Sequence, residues 1–134
     1  MSKSILLIDD NPLDNSSYID ALKKHYKVVV ALRLTSAERL IKTHHYDMII
    51  IDVMMPTQRL KSYNECTTGF DFYSERVLPI LNNLDTKPLI LFWSRFSRTS
   101  FDEYFGENKP DNVFFLQKNY DKNHLLNGIE LLLN

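Results

Sequence analysis

Glycine is scarce in this chain of 134 residues: only Gly69, Gly106 and Gly128 occur. Phosphate loops of the Walker A type and GxGxxG dinucleotide turns need closely spaced glycines, so both are excluded. Cys66 is the single cysteine, which rules out an internal disulfide and a cysteine zinc cluster. A basic excess is also missing, with 16 Lys and Arg against 17 Asp and Glu and a formal charge of −1. Without it, counterion release cannot drive binding to nucleic acid, and direct nucleic-acid binding is not expected. Apolar runs are short, and none approaches the ~20 residues of a membrane span. The run after Met1 is interrupted by Asp9 and Asp10, too early for a secretory signal. The expectation is a soluble cytoplasmic protein with no membrane partner.

The length suits one domain, long enough to bury a core without staples. Along the chain, short apolar runs alternate with amphipathic stretches. Ile5-Leu6-Leu7-Ile8, Val28-Val29-Val30, Met48-Ile49-Ile50-Ile51, Leu89-Ile90-Leu91-Phe92-Trp93 and Val113-Phe114-Phe115-Leu116 predict five strands. Between them, Leu13, Ile19, Leu22 and Tyr26 recur at helical spacing, with Asn11 as a cap and Pro12 in the first turn. Thr35-Ser36-Ala37-Glu38 has capping-box spacing for a second helix. Gly69 begins a third, which Pro79 should kink or end. Ser97 to Phe105 predicts a short fourth helix, and Leu125, Leu126, Ile129, Leu132 and Leu133 the apolar face of a last one. Alternation of this kind calls for an α/β fold: a parallel sheet with helices on both faces.

In such a sheet, function lies beyond the carboxyl ends of the strands. Strand one ends in Asp9 and Asp10, strand three in Asp52, strand four in Ser94 and strand five in Lys118. Taken singly, each has an ordinary explanation as a helix-end acid, a cap or a solvated lysine. Gathered at one edge, three carboxylates repel one another, and a divalent cation relieves that repulsion. Hard oxygen ligands with few carboxylates select Mg²⁺. A carboxylate nucleophile, Mg²⁺, an ammonium and a hydroxyl donor are the parts that stabilise a transferring phosphoryl group.

These residues resemble the receiver domain of two-component response regulators, in its single-domain, chemotaxis-regulator-like form. Leu6-Leu7-Ile8-Asp9-Asp10-Asn11-Pro12 is similar to the family's first strand end. Tyr46-Asp47-Met48-Ile49-Ile50-Ile51-Asp52-Val53-Met54-Met55-Pro56 is similar to the segment holding its phosphorylated aspartate. Ser94 falls at the family's serine/threonine position and Lys118 at its lysine. The resemblance implies a flavodoxin-like, five-stranded parallel sheet in the order 2-1-3-4-5. It implies that Asp52 accepts a phosphoryl group from a sensor histidine kinase or a phosphotransfer protein. Asp10, Asp52 and the Met54 carbonyl would bind Mg²⁺, with Asp9 acting through water. Lys118 would pair with the phosphoryl oxygens, while Ser94 and Phe115 would act as the switch pair. An unknown downstream protein would then read the face formed by helix four, strand five and helix five. Catalysis would extend only to the chain's own phosphorylation and dephosphorylation, so it would not be an enzyme acting on other molecules.

The sequence departs from the family pattern in four places. The family's glycine usually lies eight residues past the aspartate, but Gly69 lies seventeen past Asp52. About nine residues are therefore inserted at 57–68, as a tolerated surface insertion or as a lid or partner-recognition loop. Asn119 stands where the family has proline after the lysine. A cis bond before a non-proline residue costs roughly 3 kcal/mol, so a trans bond is expected. Arg95 replaces a small residue, where it could contact a phosphoryl group or partly block access to it. Met54 and Phe96 are bulky near the water approach, which predicts slow loss of the phosphoryl group.

The alternative is a receiver-like interaction module that is not phosphorylated; its sign would be loss of an acid, the lysine or the hydroxyl, and none is lost. A haloacid-dehalogenase-type phosphatase needs a DxDxT pattern, which Val53 and Met54 break. A flavin carrier needs a hydroxyl-rich phosphate loop after strand one, where Asp9 and Asp10 stand. His25, His44, His45 and His124 fall on helical segments or their ends and are assigned no chemistry, and Cys66 is read as an inert loop thiol. The receiver unit is expected to span 1–134; if these residues are the whole protein, its output would be made by binding another protein.

Overall fold

The computed structural model describes residues 3–9, 12–52, 68–95, 97–119 and 121–134. Five strands form one sheet: β1 (Ser4–Ile8), β2 (Lys27–Ala31), β3 (Met48–Asp52), β4 (Leu89–Ser94) and β5 (Val113–Gln117). Their order is β2-β1-β3-β4-β5 and every pairing is parallel, as the alternation of strands and helices predicts. β3 is buried along its whole length. That is why its sequence is an unbroken apolar run rather than an alternating one.

Each face of the sheet carries its own core layer. Leu6, Ile8, Ile49, Ile51, Ile90, Phe92 and Val113 point to one face. There they meet α2 (Leu34–Thr43), α3 (the helical run 68–81) and α4 (Thr99–Phe105). Ile5, Leu7, Met48, Ile50, Leu91 and Trp93 point to the other. They are covered by α1 (Ser16–Lys23) and α5 (Lys122–Leu133). The strict period of two in the strands produces this division.

Three local expectations are corrected. The first helix does not run from Leu13. A 3₁₀ turn occupies Pro12–Asn15, and Leu13 is 83% exposed, outside the buried face. Proline's fixed φ suits that tight turn. Nor does Thr35 cap α2. The cap is Arg33, in an extended conformation and without a side-chain bond, and Thr35 is already inside the helix. The Arg33 carbonyl accepts from Ala37 N at 3.0 Å, so the helix starts earlier than the capping-box spacing suggests.

The third correction concerns Pro79. We call the helical run 68–81 α3; it comprises Thr68–Phe72, a π turn at Tyr73–Val77, and Leu78–Leu81. Within the π turn, Leu78 N–H reaches the Tyr73 carbonyl, five residues back. In a regular α-helix the Pro79 ring would meet the carbonyl of Glu75. The wider turn in front of it relieves that clash, so the run continues through the proline and ends at Leu81. At the last helix, Asp121 caps α5, accepting from Asn123 N at 2.9 Å.

Candidate functional site

Because all five strands are parallel, their carboxyl ends share one edge of the sheet. Register then sets which side chains meet. β1 pairs with β3 so that Ile8 lies opposite Ile51, which puts Asp9 level with Asp52. Asp52 lies opposite Trp93, and Ser94 opposite Gln117, one residue before Lys118. Asp9, Asp52, Ser94 and Lys118, spread over 110 positions of sequence, thus converge. Asp9, Asp52 and Ser94 are all buried.

The central contact joins Lys118 to Asp52. Nζ lies 3.4 Å from Asp52 Oδ2, and both side chains are about a tenth exposed. The loop carrying the lysine is fastened to its neighbour by two bonds. Lys118 N donates to the Ser94 carbonyl at 2.6 Å, and Gln117 Nε2 donates to the Arg95 carbonyl at 3.1 Å. The bond between Lys118 and Asn119 is trans, as the asparagine predicts. On the other side, Asp9 N donates to the Ala31 carbonyl at 3.0 Å, and Asn15 Nδ2 donates to Asp9 Oδ2 at 2.6 Å.

Strand alternation sorts these groups by face. Asp9, Asp52, Trp93 and Lys118 belong to the face covered by α1 and α5, while Ser94 and Phe115 belong to the other. Phe115 is half-buried, with its ring 5.4 Å from that of Phe101 on α4. Behind it lies a continuous aromatic group. Phe70 meets Phe92 at 4.8 Å and Tyr104 at 5.1 Å, and Phe101 meets Phe105 at 4.9 Å. Ser74 Oγ and the Tyr104 hydroxyl, 2.6 Å apart, tie the π turn of α3 to α4. Burial, with a smaller contribution from Tyr104, pushes the Tyr73 phenol above its ordinary value of 10.0.

The donor set suits a hard divalent cation. Asp9 and Asp52 offer carboxylates at neighbouring strand ends. Asn15 Oδ1, next to Asp9, is buried and has no hydrogen-bond partner among the described residues. A neutral oxygen in that state can accept from a cation-bound water. Among the described residues, no three His, Cys, Asp or Glu side chains form a ready-made metal cluster. Asp10, Met54, Phe96 and the stretch 57–67 lie outside the described residues, so the roles expected of them have no geometry here; Thr68, at the end of the expected insertion, opens α3. Arg95 is exposed. With Asn15, Tyr18, Lys118 and Asn119 it lines a cavity of about 290 Å³ beside the lysine.

The sequence did not single out Asn15, Tyr18 or Trp93. Tyr18 donates its hydroxyl to the Asn119 carbonyl and meets Trp93 edge-on at 5.1 Å. One signal was available: Trp93 immediately precedes Ser94, so alternation turns it to the Asp52 face. His44 and His45 adjoin the amino end of β3, at the opposite edge of the sheet.

No protein-family model matches the chain, and no curated protein matches it in sequence. Solved structures do match it. A Francisella response-regulator receiver domain superposes with a TM-score of 0.70 at 20% identity, covering 98% of this chain and 97% of that one. A CheY-like receiver domain protein from Methanospirillum hungatei gives 0.73 at 15% identity, covering 99% and 94%. The chemotaxis protein CheY4 of Vibrio cholerae gives 0.70 at 19% identity, covering 98% and 99%. With the strand order β2-β1-β3-β4-β5, these likenesses over nearly the whole chain give it the CheY-like, flavodoxin-type fold of response-regulator receiver domains.

Proposed function

We propose that the chain is a phosphoacceptor signalling switch, with Asp52 as the residue that takes the phosphoryl group. The observation that carries this reading is the pairing of Lys118 with Asp52, 66 residues apart in sequence and 3.4 Å apart in space. A carboxylate oxygen of Asp52 attacks the phosphorus of a phosphohistidine on a sensor kinase or phosphotransfer protein. The O–P bond forms, the P–N bond breaks, and its electron pair leaves with the imidazole nitrogen. Lys118 turns its ammonium to the incoming phosphoryl oxygens and offsets their charge. Asp9, Asp10, Asp52 and the Met54 carbonyl would hold Mg²⁺, which supplies positive charge at the phosphoryl oxygens. Asn15 keeps the Asp9 carboxylate oriented through its 2.6 Å bond.

The readout follows from the opposite face. The Ser94 hydroxyl donates to a phosphoryl oxygen and shifts toward it. Phe115, on the same sheet face and packed against Phe101, responds by changing its packing. The surface of α4, β5 and α5 then alters its affinity for a downstream protein. Catalysis is confined to the chain's own aspartyl phosphate. The receiver unit takes in 1–134, with the insertion at 57–68, and works in the cytoplasm.

Incubation with Mg²⁺ and acetyl phosphate, followed by intact-mass measurement, tests the reading. One phosphoryl adduct is expected, and Asp52→Asn removes it. A wild-type chain with no adduct, or an adduct that persists in the variant, would overturn the proposal.

A further inference from the structure

Trp93 is the chain's only tryptophan, and it is 1% exposed. A buried indole at the end of a central strand has an ordinary role in filling the core. Its surroundings here add a second one. The Lys118 ammonium lies 4.5 Å from the centre of the Trp93 ring. The same nitrogen is 3.4 Å from Asp52 Oδ2. Tyr18 stands edge-on to the indole at 5.1 Å and 78°, and its hydroxyl donates to the carbonyl of Asn119, the next residue after the lysine.

We propose that Trp93 and Tyr18 form an aromatic clamp that positions Lys118 for phosphoryl transfer. The inference rests on the phosphoacceptor reading above and deepens it. A lysine stem has several rotatable bonds and its ammonium is strongly hydrated, so a lysine left to itself samples many positions. The indole face carries the negative lobe of a quadrupole and attracts a cation, more so when water is excluded. Tyr18 fixes both ends of the arrangement, because it packs on the ring and holds the backbone that follows the lysine. The contact also leaves the lysine free to act. Trp93 bears no formal charge, so the ammonium can lean toward a phosphoryl oxygen without breaking an ion pair to its support. Asn119 follows the lysine here in place of proline, and the Tyr18 bond supplies the backbone restraint that a ring would otherwise give. Trp93 and Tyr18 are positioning residues, and Lys118 makes the contact with the reacting group.

Three variants separate the clamp from core filling. Trp93→Phe keeps an aromatic face, Trp93→Leu keeps only apolar volume, and Tyr18→Phe removes one hydroxyl. The first measurement is the proton shift of the Lys118 ε-methylene by NMR. Ring current moves it upfield in the wild type, and Trp93→Leu returns it to the free-lysine position. The second is the rate of labelling by acetyl phosphate with Mg²⁺. Trp93→Leu slows it by about tenfold, Trp93→Phe by less, and Tyr18→Phe by a few-fold. Circular dichroism confirms that each variant folds, and if Trp93→Leu does not, the wild-type shift and Tyr18→Phe decide the matter. An ordinary Lys118 shift in the wild type overturns the clamp. So does folded Trp93→Leu, or Tyr18→Phe in its place, labelling at the wild-type rate. A wild type that keeps the shift but takes no label refutes the phosphoacceptor reading, and with it the role of the clamp, while the contact itself stands.

Discussion

Phe70→Ala tests whether the aromatic group on the Ser94 face holds α3 and α4 to the sheet. The Phe70 ring is fully buried. It meets Phe92 at 4.8 Å, Tyr104 at 5.1 Å, Phe105 at 5.9 Å and Phe101 at 6.2 Å. Truncating a buried phenylalanine costs about 3–5 kcal/mol, through lost transfer energy and the cavity left behind. Four ring partners, three on α4 and one on β4, favour the upper part of that range, since aromatic pairs add roughly 0.5–1.5 kcal/mol beyond area. Unfolding entropy of about 2.1 cal/mol/K per residue, over this chain, gives about 0.28 kcal/mol/K. A loss of about 4 kcal/mol therefore lowers Tm by about 14 °C. Urea and thermal unfolding, followed both by circular dichroism and by Trp93 emission, measure the change. Leu131→Ala serves as the control, because Leu131 is 82% exposed and its loss stays within about 0.5 kcal/mol. A Phe70→Ala loss below about 1.5 kcal/mol would refute the reasoning, for it would mean that the neighbouring rings close over the gap or never packed on Phe70.

Other expectations follow from single contacts. Lys118→Met keeps an apolar stem over Trp93 but removes the charge 3.4 Å from Asp52, so labelling by acetyl phosphate falls by about 100-fold; equal rates would contradict the assigned role. Gly128→Ala places a Cβ 3.2 Å from Leu116 Cδ2, the end of a side chain bordering an open cavity. Leu116 can give way, so the variant gains about 0.5 kcal/mol of helix stability, and a lowered urea midpoint would show that it cannot. The Tyr73 phenol is raised by burial and by Tyr104. A raised folded value means the stability it contributes is complete below the ordinary value near 10 and is lost as pH rises through the folded one. The urea midpoint should therefore fall at alkaline pH, and less steeply in Tyr73→Phe; identical profiles for the two proteins would assign the loss to other groups.

The elements were legible because their patterns are local. Unbroken apolar runs such as Met48-Ile49-Ile50-Ile51 have one economical use, a strand covered on both faces. Their alternation with amphipathic stretches leaves a parallel sheet as the outcome. Boundaries were less legible where competing local devices meet. Thr35 to Glu38 has the spacing of a capping box, yet extended Arg33 starts α2 earlier. Pro79 reads as a break, yet a helix can widen by one residue to pass it, and that option depends on neighbours such as Tyr104 that hold the π turn in place.

The sequence by itself determined which chemical groups sit at the strand ends: Asp9, Asp52, Ser94 and Lys118 each follow or close an apolar run, and a parallel sheet sends all such ends to one edge. Only the tertiary structure decided how those groups are held. Register brings Lys118 to Asp52, strand alternation divides Lys118 and Trp93 from Ser94 and Phe115, the 3₁₀ turn before α1 folds Asn15 back onto Asp9, and α1 carries Tyr18 to Asn119, far along the chain. The physical reason is that a run of apolar residues reports burial and period, which are properties of one segment. A cation over an indole, or an amide on a carboxylate, is a property of two segments and exists only once packing has set their distance.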